Sequence, residues 1–157
     1  MSKVLGVLLI IGSIVSTNIK AENASGLWTG FFAYPANSTQ GHGMFSLVIK
    51  QSGNKLRGKI IEPDPQGNAV HFSANVNGIV QHKKVKFIKK YDGTAGRNHE
   101  VYYELEQRGD LMKGIWRIGD ELDGTVLLKR IAVYEMEKIF NESIIEFDKN
   151  PDSPTEG

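Results

Sequence analysis

The chain has 157 residues, with 19 basic against 18 acidic, 40% hydrophobic content, 17 glycines and no cysteine. This is the size and composition of one folded domain and excludes a disordered or collagen-like chain. A net charge of +1 leaves no electrostatic footprint for nucleic acid, and the lack of cysteine excludes disulfides, thiol nucleophiles and thiolate metal sites together.

The N-terminus reads as an address. Lys3 gives a short positive start, and residues 4–15 are apolar apart from Gly6, Gly12 and Ser13 before polarity returns at Ser16, Thr17 and Asn18. This run is shorter than the ~20 residues a helix needs to cross a bilayer, and Ile19-Lys20-Ala21 puts a small residue at the end of a cleavage site. Residues 1–21 are therefore expected to be a signal peptide, with an uncleaved anchor as the alternative. Cleavage removes Lys3 and Lys20 and no acid, so the net charge falls to −1, and no stable membrane span is expected to remain. A domain that buries enough core to dispense with disulfides points to a bacterial periplasm or exterior.

From residue 26 to 131 short alternating runs are punctuated by Gly, Asn, Asp and Pro, the pattern of an all-β sandwich or barrel. Predicted strands cover residues 26–34, 43–51, 56–62, 70–80, 84–91, 99–107, 111–118 and 124–131. Phe45, Leu47 and Ile49 share one face of the second. The fourth has the cleanest alternation, with Val70, Phe72, Ala74 and Val76 against His71, Ser73, Asn75 and Asn77. It is read as continuous through Asn77-Gly78, with the turn at Gln81-His82-Lys83. Ser52-Gly53-Asn54 and Arg108-Gly109-Asp110 read as tight turns, the latter in preference to an integrin-recognition tripeptide. The expected fold is all-β, an antiparallel up-and-down barrel of about eight strands over residues 22–132; closing the meander removes exposed strand edges.

Beyond it, Val133, Met136, Phe140, Ile144 and Phe147 recur at helical spacing among Glu135, Glu137, Lys138, Glu142 and Glu146. This predicts an amphipathic helix over 133–148, laid on the outside of the barrel because its polar face is acidic where a membrane-surface helix would be basic. Residues 149–157 are expected to be a disordered tail.

Chemistry-bearing motifs are sparse. His42, His71, His82 and His99 sit far apart without ligand spacing, so no metal is expected. Glu62 and Asp64 are read as flanking a proline turn. Glu100, Tyr102, Glu104 and Glu106 read as the outer face of a strand whose inner face is Val101, Tyr103 and Leu105. No nucleophile elbow, phosphate loop or zinc-protease motif is present, so neither an enzyme nor a cofactor is expected. The fifth strand stands apart, because Val85, Phe87, Lys89 and Tyr91 share the face that should be internal. A lysine there needs a counter-charge or a ligand's anionic or carbonyl group; the alternative is a Lys89 that snorkels out of the rim along Phe87.

Gly26-Leu27-Trp28 opening the first strand, Arg130 near the end of the last, and a helix behind it resemble the calycin group of lipocalins, avidins and fatty-acid-binding proteins. The resemblance implies an arginine laid over the tryptophan at the barrel floor, here Arg130 over Trp28. The lipocalin motif between the sixth and seventh strands is absent, replaced by Arg108-Gly109-Asp110, and two tryptophans are too few for an avidin-like biotin site. The expected function is non-enzymatic binding of a small apolar or amphipathic molecule, with Lys89, Tyr91, Phe87, Tyr103, Phe45, Leu47, Phe72 and Trp116 as wall candidates. The alternative is a protein-binding module acting through loops 35–42, 63–69 and 92–98.

Overall fold

The period-2 pattern becomes eight strands: β1 (Gly26–Ala33), β2 (His42–Ser52), β3 (Lys55–Pro63), β4 (His71–Gln81), β5 (Lys84–Tyr91), β6 (Glu100–Arg108), β7 (Leu111–Ile118) and β8 (Leu122–Ile131). The computed structural model describes residues 22–64, 70–120 and 122–132, with Tyr134, Glu135, Glu137, Lys138, Asn141 and Glu142. The expected signal peptide (1–21), the tail (149–157), most of the β3–β4 loop, and the apolar stripe of the expected helix (Val133, Met136, Phe140, Ile144, Phe147) lie outside the described residues. Among the described residues no helix is long and apolar enough to cross a membrane.

All neighbouring strands pair antiparallel in sequence order, and β8 closes onto β1, for example through Trp28 opposite Arg130. The barrel therefore has no free sheet edge. One side chain in two points inward: Phe45, Leu47 and Ile49 from β2, Phe72, Ala74, Val76 and Val80 from β4, and Val101, Tyr103 and Leu105 from β6 are all buried. Val70 departs from the predicted pattern. It precedes β4 and is 46% exposed, because the ladder to β3 starts only at the pair Pro63 and His71.

The two ends differ in their connections. At the lower end, two-residue turns at Gly53-Asn54, His82-Lys83 and Gly109-Asp110 join paired strands. The first residue of each has positive φ (59°, 56° and 59°), the left-handed conformation such tight hairpins require and glycine adopts without cost. At the upper end the connections are longer, and this is where the interior opens.

Residues 22–25 seal the floor. Trp28 is fully buried, and its indole Nε1 donates to the Ala24 carbonyl at 3.0 Å. The Arg130 guanidinium lies 4.3 Å from the centre of the indole. Its Nη2 donates to the Asn23 carbonyl at 2.6 Å, its Nη1 to the Ser25 carbonyl, and its Nε to Asp110 at 2.9 Å. Gln107, also buried, donates to the Asn23 and Gly109 carbonyls at 3.2 and 3.1 Å. The arginine thus ties the entering N-terminal segment, the last strand and the β6–β7 turn into one plug. Above it the barrel is filled by Leu47, Leu56, Ile60, Val76, Val85, Met112 and Leu128, all at most 1% exposed.

Candidate functional site

The filled core stops short of the upper end, and two adjacent hollows replace it. One, of 520 Å³, lies among Phe31, Phe32, Tyr34, Met44, Glu62, Phe72 and Arg97, with the backbone of Gly41 and Gly43 at its rim. The other, of 320 Å³, lies among Phe32, Tyr34, Lys89, Tyr91, His99, Tyr103 and Trp116. Phe32, Tyr34 and Arg97 border both.

The walls are aromatic by strand register. On β1 the inward set is Trp28, Gly30 and Phe32, with Tyr34 just beyond the strand. Phe32, Tyr34 and Trp116 meet edge to face, with centroids 6.1 Å (Phe32 to Trp116) and 4.9 Å (Tyr34 to Trp116) apart, a geometry in which positive ring edges face negative ring faces. Trp116 Nε1 donates to the Ala33 carbonyl at 3.3 Å. Gly124 makes room for it: a Cβ there would sit 2.1 Å from the Ala33 carbonyl oxygen and 2.6 Å from the indole. Beneath, Phe87 stacks on Tyr103 with centroids 4.5 Å apart, and Phe45 meets Tyr103 edge-on at 6.2 Å.

The polar part of the site is a closed triangle. Lys89 is 2% exposed and Glu62 3%. Lys89 Nζ donates to Glu62 Oε1 and, at 2.6 Å, to the Tyr91 hydroxyl, which in turn donates to Glu62 Oε2 at 2.6 Å. Burial pushes the Lys89 ammonium below the usual lysine value, with the Glu62 carboxylate opposing the shift. Burial, reinforced by Glu62, raises the Tyr91 phenol, so it stays protonated as a donor. Burial likewise raises Tyr103 and Tyr34.

Arg97 covers the triangle from outside. Its guanidinium lies 3.6 Å from the centre of the Phe72 ring, 3.4 Å from the Tyr91 hydroxyl and 3.9 Å from Glu62, while its side chain stays 40% exposed. A folded loop holds it there. The Asp92 carboxylate accepts from the Thr94 backbone at 3.0 Å and from its hydroxyl, and Gly93 N–H donates to the Arg97 carbonyl at 2.9 Å. Hydrogen bonds from Thr94 and Ser73 hold the Asp92 carboxyl down at about 2. One buried cation, one buried anion and one half-exposed cation leave this cluster with one net positive charge.

Of the predicted wall residues, Lys89, Tyr91, Tyr103 and Trp116 line one hollow and Phe72 the other. Phe45, Phe87 and Leu47 lie below as packed core. Lys89 does not snorkel out, and its counter-charge is a residue of the chain. Glu62, read from sequence as part of a proline turn, faces inward, as the phase Leu56, Ile60, Glu62 along β3 implies. Phe32 was legible in the same way, from the phase of Trp28. Arg97 carried no sequence signal, since its position depends on how the 92–99 loop folds. His42, His71, His82 and His99 do not converge, and among the described residues no cluster of three or more His, Asp or Glu could hold a metal.

Sequential strand order and closure of β8 on β1 define an eight-stranded antiparallel up-and-down barrel, with an arginine-covered tryptophan at its floor. Among solved structures, a redesigned beta barrel superposes with a TM-score of 0.58 at 14% identity, covering 69% of this chain and 91% of its own. A mutant of the fluorescent protein UnaG aligns over 69% of this chain and 96% of its own, with a TM-score of 0.40 and 16% identity. No protein-family model matches the chain, and no curated protein matches it.

Proposed function

We propose that the protein is an exported, non-enzymatic carrier or sensor that takes a small apolar or amphipathic molecule into the upper end of its barrel. The observation that carries this reading is the pair of adjacent hollows, largely aromatic on their walls, with the cluster of Lys89, Glu62, Tyr91 and Arg97 as their charged part. A few convergent polar groups among apolar walls are the usual composition of small-molecule sites. The described parts of the upper loops favour this over a loop-based protein-binding module, because Tyr34 is their only aromatic residue besides the strand ends and it turns toward Trp116. Export is part of the proposal on the strength of residues 1–21, and a non-enzymatic role on a sequence without a nucleophile-elbow, phosphate-loop or zinc-protease motif.

Trp116 makes the reading testable. Its indole borders the smaller hollow, whereas Trp28 is sealed beneath Arg130. Titration with a series of medium-chain alcohols, esters and acids should quench or shift its fluorescence saturably. Native mass spectrometry of protein from its own host should find a retained small molecule. No response to any member of the series, together with a bare mass, would overturn the proposal.

A further inference from the structure

Among the described residues Lys89 is the one buried lysine, and the architecture has no evident need of it. A barrel interior closes equally well with an apolar residue, and a buried ion pair adds little net stability over a hydrophobic substitute. Its amine is also an awkward receptor for an acid. Glu62 already occupies one face of Nζ, so a ligand carboxylate placed there would meet a second anion. A neutral carbonyl meets no such repulsion, and the groups around Nζ suit it. A carboxylate able to take a proton and a phenol that remains a donor both lie on the amine, and the hollow that it borders is walled by the rings of Tyr34, Trp116 and Tyr103.

We propose that Lys89 holds its ligand covalently and reversibly, by condensing through Nζ with the carbonyl carbon of an apolar, preferably conjugated, aldehyde whose chain occupies the aromatic hollow. This rests on the ligand-binding reading above and specifies the ligand's class. Glu62 first takes one proton from the ammonium. The freed electron pair on Nζ forms a bond to the carbonyl carbon, and the carbonyl π pair moves to the oxygen, which takes the proton from Glu62. The resulting carbinolamine loses that oxygen as water. A second proton from nitrogen completes the water, and the nitrogen pair closes the C=N bond. The balance is one aldehyde and one ammonium giving one iminium and one water, with no oxidant or reductant. Glu62, charged again, is the counter-ion of the iminium, as it is of the ammonium now. Burial of Lys89 eases the first step by disfavouring its charged form. Arg97 and His99 face the same cluster, and the positive charge of Arg97 disfavours the ammonium further.

Reductive trapping decides it. The full chain as purified is incubated with cinnamaldehyde and cyanoborohydride, and lysine peptides are mapped by mass spectrometry. In parallel, cinnamyl alcohol, which has no carbonyl, is titrated against Trp116 fluorescence. Lys89 should be labelled at least about tenfold faster than Lys86, an exposed lysine on the same strand, despite its burial. Lys89→Arg, which keeps the charge facing Glu62, should abolish that label. If the alcohol binds but Lys89 labels no faster than Lys86, the covalent inference is overturned and the ligand reading stands. If the alcohol does not bind and Lys89 labels no faster than Lys86, the covalent inference is overturned, and the ligand reading falls with it when the rest of the series also gives no response and the native mass is bare. Because the wild-type peptide map carries the comparison, the inference stays falsifiable even if the variant folds poorly.

Discussion

Each end of the barrel lays an arginine across an aromatic ring, Arg130 on Trp28 at the floor and Arg97 on Phe72 at the mouth. At the floor both guanidinium amino groups and Nε have fixed partners, two of them backbone carbonyls that only a correctly threaded N-terminal segment can supply. At the mouth Arg97 has longer contacts, remains 40% exposed and covers a buried ion pair next to empty volume. The floor spends its polar groups on holding the chain together. The mouth keeps a buried ion pair beside empty volume, where it adds little net stability over an apolar pair.

The sharpest way to break this contrast is Trp28→Ala. Truncating a fully buried tryptophan should lower stability by ~3–5 kcal/mol in urea denaturation; a loss below ~1 kcal/mol would reduce the floor to a surface contact. Next in size is Glu62→Leu, which strands the Lys89 ammonium and should cost ~3 kcal/mol. Lys89→Met alone should be milder, because Tyr91 and Arg97 still face the carboxylate. The double variant Lys89→Met with Glu62→Leu should recover most of the loss. Simple additivity of the two single changes would mean the pair is not coupled.

Two smaller effects separate the ends further. His82 occupies a hairpin position with φ of 56° where the neighbouring turns have glycine. His82→Gly should therefore raise stability by ~0.5–1 kcal/mol, read from the denaturation midpoint, without changing ligand binding. At the mouth, the His99 ring rests 4.6 Å from Tyr91. Its desolvation there, then the charges of Lys89 and Arg97, hold its pKa below the usual 6.5, against Glu62. A lowered histidine favours the folded state fully above about 6.5 and progressively less as the pH falls through that value toward the folded one. Stability should thus drop slightly between pH 7.5 and 5.5, and His99→Gln should flatten that part of the profile. An unchanged profile in the variant would assign the drop to other groups.

Much of the barrel was legible because a strand has a period of two, and a single phase choice sorts every residue on it. The eight strands fall within a residue or two of their predicted ends. Trp28 over Arg130 followed from a resemblance resting on three residues and one arginine. The same phase argument placed Phe72, Lys89, Tyr91, Tyr103 and Trp116 inside. It also reaches Glu62, the last residue of the predicted strand 56–62, but the neighbouring Pro63 drew the reading of that carboxylate toward the turn. Phase alone did not divide the inward residues into filled core and open cavity: Phe45 and Phe87 have the same sequence character as Phe72 and Trp116, yet only the latter two border the two hollows at the mouth.

By itself the sequence determined the strand pattern, the short turns of one end and the inward lysine, because these depend on alternation and on residues adjacent in the chain. Only the tertiary structure decided that Glu62, 27 positions away, pairs with Lys89. It alone decided that the 92–99 loop brings Arg97 over both of them, and that the core fills the floor and leaves the mouth hollow. Those facts depend on register across strands, on loop conformation and on the volume left when all eight strands close, and no local pattern of residues encodes such sums.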